Sequence, residues 1–184
     1  QAPQQKIVHD PRLIWNTLDI IEQHQGIAVA SQSGHAYIKQ VMRQENAIYG
    51  GEMSAHHYFR DFGYCDSGII PWLLMMNLLS TQQLPLSALT QTMQQRFPCS
   101  GEINFTVKDA QSTILALKMH FADQVLELDD TDGLGFDFGA WRFNIRASNT
   151  EPLLRLNIET RTEQQPQPIE YYIQLLTDLI NLHG

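Results

Sequence analysis

Short apolar runs alternate with amphipathic stretches through the first half of the chain. Residues 6–9, 27–30 and 47–49 read as β-strands. Each is followed by apolar positions at helical spacing, over residues 13–24 (Leu13, Leu18 and Ile21 on one face), 36–43 and, beyond a polar loop, 69–79. Three βα units in a row predict a parallel sheet layered by helices. Ligands of such sheets collect at the loops leaving the C-terminal ends of strands. Polar residues in segments 10–12, 31–35 and 50–66 therefore carry the most functional weight. The longest apolar stretch, residues 68–79, is too short for the roughly 20 residues of a membrane span and reads as a buried helix.

A helix over residues 86–96 runs into Phe97-Pro98-Cys99-Ser100-Gly101, whose turn-forming residues mark a domain boundary. Beyond it the pattern changes. Residues 102–107 alternate as a strand, 110–121 repeat as a helix, and 125–128, 136–138, 142–147 and 153–159 read as successive strands. In the last of these Leu154, Leu156 and Ile158 share one side, while Arg155, Asn157 and Glu159 share the other, which predicts a sheet with one wet face. A final helix begins near Pro168, with Ile169, Tyr172, Ile173, Leu176 and Ile180 on one face. The expected architecture is a three-layer α/β/α domain with a mainly parallel sheet over residues 1–98, then an α+β domain with a mainly antiparallel sheet over 99–184.

Composition narrows the function. The 184 residues carry 12 basic and 20 acidic side chains, a formal charge of −8, which argues against general attraction to nucleic acid or to an anionic membrane. An anionic ligand needs a local cluster. Cys65 and Cys99 are too few and too far apart for a disulfide framework or a CxxC metal site, and a reducing cytoplasm is the expected location. The chain opens on Gln1 rather than Met and has no signal-peptide pattern, which points to a processed chain or a piece of a longer protein.

Two clusters have chemistry to offer. GGEMSAHHYFRD, residues 50–61, follows a strand and offers a carboxylate, a hydroxyl and histidines beside glycines, a composition that suits a polyol ligand. A polar surface loop explains the same residues equally well. A metal site from His56, His57, Asp61 and Asp66 is disfavoured because adjacent histidines point in different directions. The second cluster, Arg146-Ala147-Ser148-Asn149-Thr150-Glu151-Pro152, joins a guanidinium, hydroxyls and turn N–H groups in a compact receptor for a tetrahedral dianion, or forms a polar hairpin for purely local reasons. Arg12, His35 and Lys39 are single residues at strand ends. Residues 133–139, GLGFDFG, superficially match a dinucleotide loop but have no helix after them and read as a hairpin turn. No GxSxG, HExxH, GxxxxGK[ST] or paired CxxC occurs.

Read together, GGEMSAHHYFRD, RASNTEPLLRLNIETR, HDPR and SGHAYIK resemble the α-D-phosphohexomutases, in that family's order and over nearly the whole chain. The Met in GEMS is similar to the phosphomannomutase and phosphoglucomutase branch, and AHHYFRD to bacterial phosphomannomutases. The resemblance implies an isomerase acting as an intramolecular phosphotransferase. In that family four domains surround a cleft, a phosphoserine in the first exchanges its phosphoryl group through a hexose 1,6-bisphosphate, and Mg²⁺ sits on an Asp-rich loop of the second. The third domain reads sugar hydroxyls and the fourth holds the non-reacting phosphate. Carried over, Glu52, Ser54 and His56 match the sugar loop, and Arg146, Ser148, Asn149 and Thr150 the phosphate loop. Arg12 and His35 match cleft residues that contact substrate or move a proton, and Lys39 is a less direct match.

Neither the phosphoserine loop nor the metal loop of the family occurs in these residues. The implied identity is thus a C-terminal portion, comprising the third and fourth domains, of an enzyme interconverting mannose 6-phosphate and mannose 1-phosphate. Such a portion would bind hexose phosphate but be inactive alone, with Mg²⁺ and the bisphosphate activator belonging to the whole enzyme. Its partners would be hexose phosphate and the N-terminal domains. A stand-alone sugar-phosphate-binding module, a phosphoglucomutase portion and a vestigial interaction fragment are the alternatives.

Overall fold

A computed structural model describes residues 3–148, 151, 153–164 and 166–184. The chain divides into two compact units, Gln1–Gln95 and Arg96–Gly184.

The first unit runs β1 (Lys6–His9), α1 (Trp15–Gln23), β2 (Ile27–Ala30), α2 (His35–Glu45), β3 (Tyr49–Gly51), β4 (His57–Phe59), β5 (Cys65–Asp66), α3 (Ile69–Gln82) and α4 (Leu86–Arg96). Its sheet has the order β2-β1-β3-β4-β5. β1 pairs in parallel with both β2 and β3, whereas β4 and β5 add antiparallel strands on the far side. The βα units therefore form the parallel part of the sheet, and the expected loop over residues 50–66 supplies two further short strands. Successive residues of β1 serve opposite layers. Val8 packs with Ile38 and Met42 of α2, while Ile7 lines a groove with Ile20 and Ile21 of α1. Gly50 of β3 lets α2 close on the sheet, because a Cβ there would lie 2.7 Å from Met42 Sδ and 2.9 Å from Ile38 Cγ2.

α3 departs from expectation. The apolar run forms a helix, but none of its residues is buried; Ile69 is 70% exposed and Trp72 60%. A helix that is apolar all round normally lies inside a protein. Here its apolar character is present while its cover is not supplied by the described residues.

The second unit contains β6 (Cys99–Thr106), α5 (Ala110–His120), β7 (Glu127–Asp129), β8 (Leu134–Asp137), β9 (Trp141–Ala147), β10 (Leu153–Thr160) and α6 (Ile169–His183). The sheet order is β6-β10-β9-β8-β7, with every pairing antiparallel. Phe136, Phe143, Ile145, Leu154, Leu156 and Ile158 cover one face and meet Leu117 of α5 and Tyr172, Leu176 and Ile180 of α6. Asp109 caps α5, its side chain accepting the N–H groups of Gln111 and Ser112 at 3.0 and 3.2 Å. Residues 133–139 are strand β8 between turn glycines, Gly133 at φ 71° and Gly139 at φ 81°.

The opposite face of this sheet is not wet along its length. Arg142, Asn144, Asn157 and Glu159 are all buried. In the β9–β10 register Arg142 faces Glu159, Asn144 faces Asn157, and Arg146 faces Arg155. Arg142 donates to Glu159 at 2.7 Å, Asn144 to the Asp132 carbonyl at 2.9 Å, and Asn157 to the Gly101 carbonyl at 3.0 Å. Alternation identified the residues sharing a side. Their burial follows from the Arg142–Glu159 pair, from the turn at Asp132 and from the irregular stretch of β6 at Gly101, whose carbonyls take the two asparagine amides, since buried polar groups persist where they find partners.

Candidate functional site

Three loops at the C-terminal ends of β1, β2 and β3 are tied together by two carboxylates. Asp10, at the end of β1, receives Arg12 NH2 at 2.6 Å, Arg12 Nε at 3.2 Å and the Arg12 backbone N–H at 3.0 Å. The same Asp10 accepts the Met53 N–H at 2.7 Å, joining the first loop to the GEMS turn. Glu52 accepts the Gly34 N–H at 2.8 Å, at the N-terminus of α2, where the exposed amides and helix dipole favour an anion. Its other oxygen accepts the Tyr58 hydroxyl at 2.5 Å. Burial and the Glu52 carboxylate push the Tyr58 phenol well above its ordinary range, so it stays a donor.

The residues of the GEMS turn and its flank thus stand in distinct settings. Glu52 is half-buried and fixed by both oxygens, while Ser54 is exposed at the tip of the turn. Ala55 takes φ 65°, and the Ala55 N–H and Glu52 carbonyl close the turn at 3.0 Å. His56 is mostly exposed, with Nδ1 2.8 Å from Asp66. Partial burial raises the Asp66 carboxyl, but the His56 contact and the His57 and Ser67 N–H groups outweigh it and hold it below its usual value. His57 turns elsewhere, its Nδ1 2.6 Å from the Tyr49 hydroxyl, whose pKa burial pushes up to about 12. The two histidines therefore turn to different partners, His56 to Asp66 and His57 to Tyr49. Arg12 is buried against Asp10, His35 is exposed at the first turn of α2, and Lys39 sits with its Nζ 5.9 Å from the Tyr58 ring centre.

In the second unit Arg146 is the penultimate residue of β9, and Ser148 follows the strand, its N–H donating to the Leu153 carbonyl at 2.8 Å. Asn149 and Thr150 lie outside the described residues. Across the ladder from Arg146 stands Arg155, with Glu102 of β6 near both. Gly133 brings the β7–β8 turn against this end of β9. A Cβ there would come 2.5 Å from Arg146 Cβ, and the turn carries Asp132 to 3.8 Å from the Arg146 guanidinium.

Sequence reading gave no role to Asp10, Tyr58, Glu102 and Arg155, and weighed Asp66 only as a metal ligand. Asp10 and Asp66 were visible as carboxylates at strand ends, but their partners lie far away in sequence. Arg155 acquires meaning only once the register places it opposite Arg146.

A model of the phosphoglucomutase/phosphomannomutase α/β/α domain III matches residues 1–97, and one of the C-terminal domain of the same family matches 102–170. The chain belongs to the phosphoglucomutase/phosphomannomutase family. It is 60% identical over 161 residues to a protein of Xanthomonas campestris named for phosphohexose mutases, 55% over 157 residues to a phosphomannomutase of Vibrio cholerae, and 52% over 159 residues to that of Escherichia coli K12. These matches cover 88%, 85% and 86% of this chain but 36%, 34% and 35% of the relatives. This family member thus spans about a third of the length of the curated relatives it matches. Solved structures show the same fold. A phosphoglucomutase/phosphomannomutase family protein of Burkholderia thailandensis superposes with TM-score 0.73 at 23% identity, over 97% of this chain and 38% of that one. A Paramecium phosphoglucomutase gives 0.75 at 17% identity, over 96% and 37%. Among the described residues of this phosphohexomutase chain, no helix is long and apolar enough to cross a membrane.

Proposed function

We propose that the chain is the ligand-recognition part of a cytoplasmic phosphomannomutase that interconverts mannose 6-phosphate and mannose 1-phosphate through a hexose 1,6-bisphosphate. In this reading Glu52, Ser54 and His56 read sugar hydroxyls, and Arg12 and His35 line the cleft. Arg146, Ser148, Asn149 and Thr150 hold the phosphate that is not reacting. Mg²⁺ and the phosphoryl donor come from the rest of the enzyme, so these residues alone bind without turning over.

The observation that carries the reading is the joining of the GEMS turn to the other two strand-end loops through Asp10 and Glu52. A ligand that binds in either of two orientations needs a polar surface that does not rearrange between them, and fixed carboxylates provide one. The test is a two-dimensional NMR titration of the labelled chain with mannose 1-phosphate, with phosphate and mannose as controls. Saturable shifts at residues 52–56 together with 146–150, stronger than with either control and lost at 146–150 in Arg146→Ala, are expected. Shifts at neither loop would overturn the binding role, and turnover by the purified chain would overturn the dependence on other domains.

A further inference from the structure

Arg146 and Arg155 occupy directly opposed positions of β9 and β10, where like charges repel. Glu102 stands between them, Oε2 3.7 Å from Arg146 NH2 and Oε1 3.5 Å from Arg155 NH1. Asp132 lies 3.8 Å from Arg146 NH1, and Glu151 3.7 Å from Arg155 NH2. All four separations exceed the roughly 2.7–2.9 Å of a charge-assisted hydrogen bond. The same pair of strands reaches that length two rungs away, where Arg142 and Glu159 meet at 2.7 Å. In addition, the Nε atoms of Arg146 and Arg155 are buried without a hydrogen-bond partner among the described residues. The sheet can close an arginine–carboxylate pair tightly, and at this rung it holds the charges near one another with donors left over.

We propose that Glu102 is a built-in stand-in for the anion: it occupies the ground between Arg146 and Arg155 in the empty site and is displaced by a phosphate dianion. The proposal rests on the assignment of the Arg146 turn to phosphate. Among the described residues, two guanidiniums lie near three carboxylates, Glu102, Asp132 and Glu151, and these five side chains sum to a charge of 2 − 3 = −1 before any ligand arrives. A dianion simply added would raise that to −3. Entry therefore exchanges one anion for another, and the partly exposed Glu102 carboxylate moves toward water. The exchange keeps the arginines from repelling each other when the site is empty, and it holds phosphate affinity below what the arginine pair alone would give. It also selects dianions, since a monoanion offers the arginines nothing that Glu102 does not.

The test uses inorganic phosphate titrated into the chain, read by NMR at residues 146–148 and by thermal melting. Glu102→Gln is expected to bind phosphate about tenfold more tightly, the order expected when a partly screened like charge leaves a site. It should also melt lower than the parent without phosphate and gain more from it. Asp132→Asn should tighten binding in the same direction by a smaller factor, and serves if Glu102→Gln does not fold. Unchanged or weaker binding in these variants, with Arg146→Ala abolishing binding in the parent, overturns the stand-in role and leaves the phosphate assignment intact. Binding that ignores Arg146→Ala, or no binding by parent and variants alike, removes both.

Discussion

Asp10 is the residue on which the first unit's loops depend most. Its carboxylate is buried, is paired with the buried Arg12, and accepts the Met53 N–H. Removing one member of a buried pair strands the other, so Asp10→Ala is expected to destabilise the first unit by about 3 kcal/mol, measurable by denaturant unfolding. Binding of mannose 1-phosphate should fall with it, because the GEMS turn loses its tether. Tyr58 permits a milder test. Its ring belongs to the core beside Val8, Ile38 and Met42, and only its hydroxyl reaches Glu52. Tyr58→Phe keeps the packing and removes that bond, at about 1 kcal/mol of stability. A changed Gly34 amide resonance and weaker sugar-phosphate binding should accompany it; an unaltered Gly34 resonance would show that Glu52 does not depend on Tyr58.

At the scale of elements, α5 offers a pH test. The Ser112 hydroxyl, then the Ser112 N–H, hold Asp109 below its usual value, outweighing slight desolvation, with the Gln111 N–H adding to the effect. A carboxyl depressed by folding stabilises above its unfolded pKa, about 3.9, and that contribution is lost as pH falls through the lower folded value. Protection of the first-turn amides of α5 against hydrogen exchange should hold from neutrality to about pH 4 and decline below it, whereas in Asp109→Ala it should be weak throughout. The longer elements were legible because apolar spacing over ten or more residues is unambiguous, as in α6, whose Tyr172, Leu176 and Ile180 are buried where the pattern places them. β4 and β5, of three and two residues, are too short for alternation to register. The buried polar face was hidden for another reason: alternation sorts residues onto sides but does not tell whether a side is covered. Much the same holds for the site, where Glu52, His56 and Arg146 could be singled out by composition, but their partners are set by register and by distant loops.

For the molecule as a whole, the exposed apolar surface of α3 sets solution behaviour against the net charge of −8. Ile69, Trp72, Leu73, Leu74 and Met76 are exposed on one helix, and contiguous apolar surface of this kind drives association. The chain is expected to bind the dye ANS at neutral pH while keeping its near-ultraviolet circular dichroism, which separates a folded chain with an open patch from a molten one. Replacing Leu73 and Met76 by Lys should lower the dye signal and leave the fold unchanged; a signal that persists would place the dye elsewhere.

The rungs Arg142–Glu159, Asn144–Asn157 and Arg146–Arg155 also bear on folding fidelity. On the apolar face, Phe143, Ile145, Leu154, Leu156 and Ile158 are similar enough that sliding one strand by two residues would keep oil against oil. The polar face does not tolerate the slide. In one direction Arg142 meets Asn157, in the other Arg161, and either way Glu159 loses its cation in a place where an unpaired charge is expensive. The ladder proofreads the hairpin that carries the Arg146 turn, rejecting registers that the greasy side alone would accept.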